Sequence, residues 1–159
     1  MQSVAVLPTT STASGPRPKT KAQRNKHLRQ MAQDKPCLLL VPGHCTHDRS
    51  TVVCCHSNLS AHGKAGARKA DDHYSAWGCS ACHRWLDQGT APRAQKTSVF
   101  MGAHLRQVLE WRAIAFDPSS APRDKAAALW ALERLNAIPN LREALDLRAL
   151  PAINSGARQ

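Results

Sequence analysis

Residues 78–88 read Gly-Cys-Ser-Ala-Cys-His-Arg-Trp-Leu-Asp-Gln, and this stretch decides the fold. Cys79 and Cys82 stand three apart where a helix is predicted to begin, near Ser80, and to run to about Gln88. That spacing lets two sulfurs reach one ion while the helix leads the following residues away from it. A second pair, Cys37 and Cys45, brackets Leu-Leu-Leu-Val-Pro-Gly-His. Tetrahedral zinc takes four soft ligands at about 2.3 Å, commonly as two local pairs from distant segments. Cys37, Cys45, Cys79 and Cys82 are therefore the candidate structural zinc site. A thioredoxin-type redox pair would need a βαβ setting, which these flanks do not offer. Cys54 and Cys55 lie in an apolar run and read more readily as packed thiols than as ligands.

Working outward, the pattern is α+β. Cys37–Val41 is predicted as a short apolar strand, closed by a Pro42-Gly43 turn. Thr51–Cys55 is β-branched and apolar, a second strand ending at His56. Residues 57–72 hold Gly63 and Gly66 among Lys64, Arg68 and Lys69, a flexible basic loop. Upstream, residues 21–33 favour a helix that stops before Pro36, and the Ser/Thr/Pro-rich residues 1–20 are expected to be disordered. Downstream, a polar linker, Gly89–Lys96, leads to a helix over 97–115 that would bury Val99, Phe100, Ala103, Val108, Leu109 and Trp111. Asp117–Pro122 breaks it. A further helix starts after Ser119 or Ser120 and runs to Ala137, and Asn140-Leu-Arg-Glu143 has the form of a capping box opening a last one up to Leu147. The organisation expected is a basic, partly helical arm (1–33), a zinc-stabilised core (34–95), a helical extension (96–150) and a tail (151–159).

The core needs the metal. Only Tyr74, Phe100, Phe116 and four tryptophans supply aromatic bulk. A structural zinc contributes roughly 10–16 kcal/mol of apparent binding energy in finger peptides, enough to replace a hydrophobic core. The early apolar run Val4–Leu7 ends at Pro8 and lacks a basic n-region, and no stretch approaches the roughly 18 apolar residues of a membrane span. A reducing, cytoplasmic setting is the expectation, with the cysteines as thiols.

Formal net charge is +11, so a polyanion is the natural partner class. The excess is uneven: residues 1–36 carry seven Lys/Arg against one acid, 37–115 nine against five, and 116–159 six against five. It sits on the arm and around the cysteines. Basic tails also serve solubility alone, so charge by itself does not name a ligand.

Three residues stand out beside the cysteines. His83 and Asp87 are four apart and share a helix face, while His83 lies about 100° around from Cys82. One short helix can thus present sulfur to a structural zinc and a His/Asp pair to a second metal. His56 closes an apolar strand, where an imidazole can act as general base. Strand-end histidines are often purely structural, and His44, His47, His62 and His73 are further imidazoles that could replace a ligand named here.

The combined order and spacing of Cys37-x7-Cys45, Val52-Val-Cys-Cys-His56, Gly63-Lys64, Lys69-Ala-Asp-Asp72 and Gly78-Cys-Ser-Ala-Cys-His83-x3-Asp87 resembles the YbcO-like family of prophage-encoded nucleases, over roughly residues 34–112. The resemblance implies an HNH-type endonuclease with a ββα-metal, treble-clef-like core. Under it, the four cysteines match the zinc ligands and His56 the general base. Asp72 matches the acidic loop position, and His83 with Asp87 the pair facing a catalytic Mg²⁺ or other divalent ion. Lys64, Arg68, Lys69, Arg84 and the residue 17–35 arm would follow the backbone of a DNA substrate. The setting implied is phage or prophage DNA processing or recombination in a bacterial cytoplasm. Two departures stand out. Cys55 occupies the place before the base where many HNH enzymes carry a metal ligand. The middle Asn has no clear equivalent, because Asn58 falls close to the base and Asp72 could take its work. Two other readings share the same charge and cysteines: a non-catalytic zinc-stabilised DNA-binding accessory protein, and an interaction protein whose C-terminal helices dock a partner or a second copy.

Overall fold

Among the described residues, one antiparallel pair of strands carries the site. β1 (Val53–His56) and β2 (Ser75–Gly78) pair in the register Val53↔Gly78, Cys54↔Trp77, Cys55↔Ala76, His56↔Ser75. The computed structural model of the protein describes residues 21–136. The disorder expected over 1–20, the helix expected from Asn140 and the tail lie outside the described residues. In chain order the helices are α1 (Lys26–Gln30), α2 (Ser80–Gln88), α3 (Arg93–Phe116) and α4 (Pro122–Arg134). The fold is α+β, and among the described residues no helix is long and apolar enough to cross a membrane.

An isolated two-stranded hairpin is marginal in water. Here every residue of β2 is buried, and its outer edge is satisfied by side chains and by an irregular segment. Leu38 N–H donates to Trp77 O (2.8 Å), Trp77 N–H donates to Gln107 Oε1 (2.9 Å), and His104 Nδ1 meets Ser75 O (2.9 Å). Gln107 and His104 stand on α3, whose buried stripe is Phe100, Ala103, His104, Gln107 and Trp111. Two polar side chains thus replace a third strand, since a buried backbone group left unpaired is costly. Gly78 is required where β2 ends: a Cβ there would strike Leu39 Cδ1 and approach Cys55 Sγ at 2.7 Å.

Several elements differ from expectation. Cys37–Val41 is not a strand. Leu40 takes φ +46°, which breaks the extended run and lets the chain turn Cys37 and Cys45 toward one point. The second strand is instead β2, a short segment of small residues around one tryptophan that carries little β signal. The first helix is shorter than residues 21–33, because the preceding backbone is held extended: Gln23 N–H donates to Asp71 (3.1 Å) and Asn25 N–H to Asp72 (2.7 Å). Asn25 then caps α1 by accepting from Leu28 N–H at 3.0 Å. α3 begins at Arg93, inside the expected linker, since Arg-Ala-Gln-Lys is helix-permissive even before the apolar stripe starts. Leu109, expected inside, is 61% exposed. α4 opens with Pro122 in its first turn, where a missing N–H costs nothing.

Two apolar clusters result. The first joins Leu39, Val41, Cys55, Trp77, the cysteines, Leu86 and Phe100, and packs the hairpin and α2 against the N-terminal half of α3. The second joins Leu28 and Met31 of α1 with Trp111 of α3 and Ala128 and Leu132 of α4. Through Leu28, and through His27 Nε2 against Asp124 Oδ1 (2.7 Å), α1 is built into the fold beside β1.

A four-cysteine cluster and a histidine-lined cleft

The Sγ atoms of Cys37, Cys45, Cys79 and Cys82 all lie within 4.8 Å of one another. A tetrahedron with bonds of about 2.3 Å has edges of about 3.8 Å, so the four can share one ion with small adjustments. Three of them are buried, and Cys45 is half-buried. Cys79 N–H donates to Cys37 Sγ at 3.3 Å. Cys79 itself titrates at about 6. Burial pushes it up, but backbone donors of Cys82 and Thr46 and the Thr46 hydroxyl outweigh that. Burial drives Cys82 and Cys45 the other way, above their ordinary value. Without a cation the cluster therefore holds its protons unequally, and metal binding would release them. The donor set of four sulfurs fits zinc, and these four residues could hold such an ion.

Cys54 and Cys55 do not join this cluster. Cys55 is fully buried between Leu39 and Gly78, and burial raises its thiol far above the ordinary value. Burial pushes Cys54 up to about 11. Both are packed thiols.

β1 turns Cys55 inward and places His56 at the wall of a cleft of about 370 Å³. His56 Nε2 lies 2.9 Å from Asp72 Oδ1. Asp72 is fully buried and is bonded through both of its oxygens. It also accepts from Arg24 Nη1 (3.0 Å), Arg29 Nη1 (2.7 Å) and Asn25 N–H (2.7 Å). Burial alone would raise its pKa. The hydrogen bonds from His56 and Asn25 and the charges of Arg29 and Arg24 reverse this and hold it at about 2. An ionised carboxylate only accepts, so Nε2 of His56 donates to it, and in the neutral imidazole that leaves the lone pair on Nδ1.

Across the cleft, α2 presents the second pair. His83 Nε2 and Asp87 Oδ2 are 3.2 Å apart, and Asn58 Nδ2 donates to Asp87 Oδ1 at 2.9 Å. The hydrogen bond with His83 lowers the Asp87 pKa most, burial opposes it, and Asn58 adds to the lowering. For ligands about 2.1 Å from an octahedral ion, adjacent donors sit about 3 Å apart. The pair fits two sites of such a shell, leaving the rest for water and substrate oxygens.

The sequence-predicted cations divide. Lys64 and Lys69 line the cleft with His56, His83 and Asp87. Arg84 lines a neighbouring hollow that shares Val53, His83 and Asp87 with the cleft, and Arg68 is turned onto Asp71 at 3.1 Å. Of the other imidazoles, His62 bonds Ser57 (2.7 Å) and stacks on Tyr74, His73 is buried, and His44 faces Trp85. None enters the cysteine cluster. Three residues of the cleft region escaped the sequence reading. The sequence places Arg24 and Arg29 among the arm cations expected to face a polyanion, yet they point inward at Asp72. Asn58 was set aside for its closeness to the base, and that closeness is what lets it reach Asp87 from the loop after β1. Its position two residues past His56 was the available signal.

The sequence that builds this cluster and cleft matches a known family. The chain belongs to the family described as "Putative nuclease YbcO", whose model matches residues 26–115. No curated protein matches. Among solved structures, a chain titled "Structure of a putative bacteriophage protein from Escherichia coli str. K-12 substr. MG1655" is similar at 21% identity. The match covers 53% of this chain and 94% of that one, with a TM-score of 0.43.

Proposed function

We propose that this protein is a metal-dependent endonuclease of the HNH type that hydrolyses DNA phosphodiester bonds. The observation that carries the reading is the convergence of His56, the His83–Asp87 pair, Lys64 and Lys69 on one cleft. The order β1, β2, α2 is that of a ββα-metal core, and the cysteines beside it suit a treble-clef zinc. We assign the nuclease core to residues 34–95, braced by α1, and the extension to 96–150, of which α3 and α4 lie among the described residues.

In this mechanism Lys64, Lys69 and Arg29 hold phosphate oxygens in the cleft and keep the scissile phosphorus near His56. His56 Nδ1 accepts a proton from a water, and that water's oxygen attacks phosphorus in line as the bond to the 3′-oxygen breaks. Asp72 keeps the tautomer and stabilises the imidazolium that forms. A divalent ion such as Mg²⁺ on His83 and Asp87 would supply neutralisation of the charge growing on a phosphate oxygen and on the leaving oxygen. Zn²⁺ on Cys37, Cys45, Cys79 and Cys82 would fix α2, and with it His83, against the hairpin. The setting we propose is a phage or prophage enzyme of DNA processing or recombination in the bacterial cytoplasm.

The test is His56→Ala on supercoiled plasmid in Mg²⁺ or Mn²⁺. Nicking by the native chain should be lost in the variant, with zinc content unchanged and the fold retained at a lower melting temperature, since Asp72 loses one of its partners. Nicking that persists in the variant removes His56 from the mechanism. Binding without nicking by the native chain favours the accessory-protein reading.

A further inference from the structure

Beside the cleft lies a larger groove of about 530 Å³, and the two share Asn58, Lys64 and Asp87 as a common wall. Leu86 and Phe100 beneath it are buried, so it meets a ligand chiefly with Asn58, Thr97 and three cations, Lys64, Arg93 and Lys96. Asp87 is the carboxylate of the lining, and His83 and Asn58 already hold it at 3.2 and 2.9 Å. Three positive charges therefore face one engaged acid. Arg93 and Lys96 are three apart on the first turn of α3 and share a face. Among the described residues neither side chain has a partner, and Lys64 Nζ meets only Gly66 O, at 2.8 Å. Nor do the two steady the helix: that turn carries no acid, and cations there oppose the helix dipole.

We infer that the groove is a second phosphate site, in which Lys64, Arg93 and Lys96 hold the phosphate next to the scissile one on the same DNA strand. This rests on the endonuclease reading above, which sets the scissile phosphate in the cleft between His56 and Asp87. Lys64 stands in both cavities, so a strand crossing the shared wall passes from Arg29 and Lys69 on one side to Arg93 and Lys96 on the other. Such contacts fix the register of a strand and read no sequence. Two consequences follow for the substrate and the fold. The strand must continue past the cleaved bond on the groove side. The first turn of α3, which lies at the edge of the core of residues 34–95, belongs to the nucleic-acid interface.

Binding is read separately from cleavage. Fluorescence anisotropy at fixed Ca²⁺ follows the full-length protein on a 20-base-pair duplex as KCl rises from about 50 to 200 mM. In Arg93→Gln/Lys96→Gln the slope of log K against log salt should flatten by roughly 2, about 1 for each cation removed. Arg123→Gln/Lys125→Gln takes the same charge from α4, outside both cavities, and should leave the slope unchanged. The melting temperature of the α3 variant should hold or rise, whereas a structural role for the two cations would lower it. Should that variant misfold, Lys96→Gln alone is expected to flatten the slope by about 1. A native slope in the folded α3 variants, or equal flattening by the α3 and α4 pairs, overturns the site. Nicking is then measured in Mn²⁺. A flattened slope with no nicking by the native chain sinks the endonuclease reading and leaves the groove as a backbone site, and nicking with an unchanged slope does the reverse.

Discussion

The two histidine–carboxylate pairs of the cleft are built in opposite ways. Asp72 is fully buried, and His56 beside it keeps only 14% of its side chain exposed. Two arginines and a backbone N–H from the α1 segment hold the carboxylate as firmly as the histidine does. His83 and Asp87 sit on one face of α2 with 37% and 44% of their side chains exposed, tied down by Asn58 alone. The first pair is part of the fold, and its geometry is fixed before anything binds. The second is open and can exchange its mutual hydrogen bond for an ion. A proton acceptor needs a settled tautomer and position, whereas a two-ligand metal site needs free coordination positions. Under the proposed mechanism the difference suits His56 to accept a proton and His83 to hold an ion.

The largest effect should come from removing the frame common to both. Cys82 is the buried cysteine within α2, and with zinc on the four cysteines as proposed, Cys82→Ser or a strong zinc chelator should release α2 from the Cys37–Cys45 turn. Finger peptides lose roughly 10–16 kcal/mol of apparent binding energy on losing zinc. Circular dichroism with simultaneous zinc-release measurement should show unfolding in step with metal loss. A chain that stays folded after zinc is gone would show that α1 and α3 suffice.

Next comes Asp72→Ala, which breaks only the buried pair. Removing one partner of a buried charge network costs about 3–5 kcal/mol, and the lower end applies because Arg24 and Arg29 are about one-third exposed. Urea unfolding should register a loss of about 3 kcal/mol along with lost nicking. Acid gives a smaller, independent reading of the same pair. The Asp72 carboxyl lies at about 2 in the fold against an ordinary 3.8. Its contribution is therefore complete above about pH 4 and disappears as pH falls to about 2, a loss of roughly 2 kcal/mol. The Asp72→Asn variant should lack that slope. An identical acid profile in both proteins would mean the network carries no stability.

How far the sequence exposed all this depends on the range of each interaction. The cysteine spacing and the His83-x3-Asp87 pair are local patterns set by a helix start and its period, so they were legible. α2 falls where residues 80–88 placed it. β2 was not legible, because Ser75–Gly78 owes its extended form to Gln107, His104 and Leu38, from both sides of it in the chain. The inward turn of Arg24 and Arg29 was hidden for the same reason. A run of basic residues looks like a solvated face until a buried acid 43 or more positions away claims two of them. Leu109 was misplaced because α3 has two apolar sides, and periodicity cannot tell which one the hairpin and α4 cover.

The smallest stability effect, and the sharpest separation of the two pairs, is expected from Asp87→Asn. The side chain is 44% exposed, and an asparagine keeps its size and an acceptor for Asn58. Exposed ion pairs contribute about 0–1 kcal/mol, so urea unfolding should move by less than about 1 kcal/mol. Divalent-ion binding should fall steeply, because the only anionic member of the pair is gone. Isothermal titration with Mn²⁺, set beside nicking rates, distinguishes the outcomes. If Mn²⁺ binds the variant as before, Asp87 is not a ligand and the pair is only a helix-surface contact. If the variant instead loses as much stability as Asp72→Ala, the exposed pair is as structural as the buried one, and the division of roles between His56 and His83 fails.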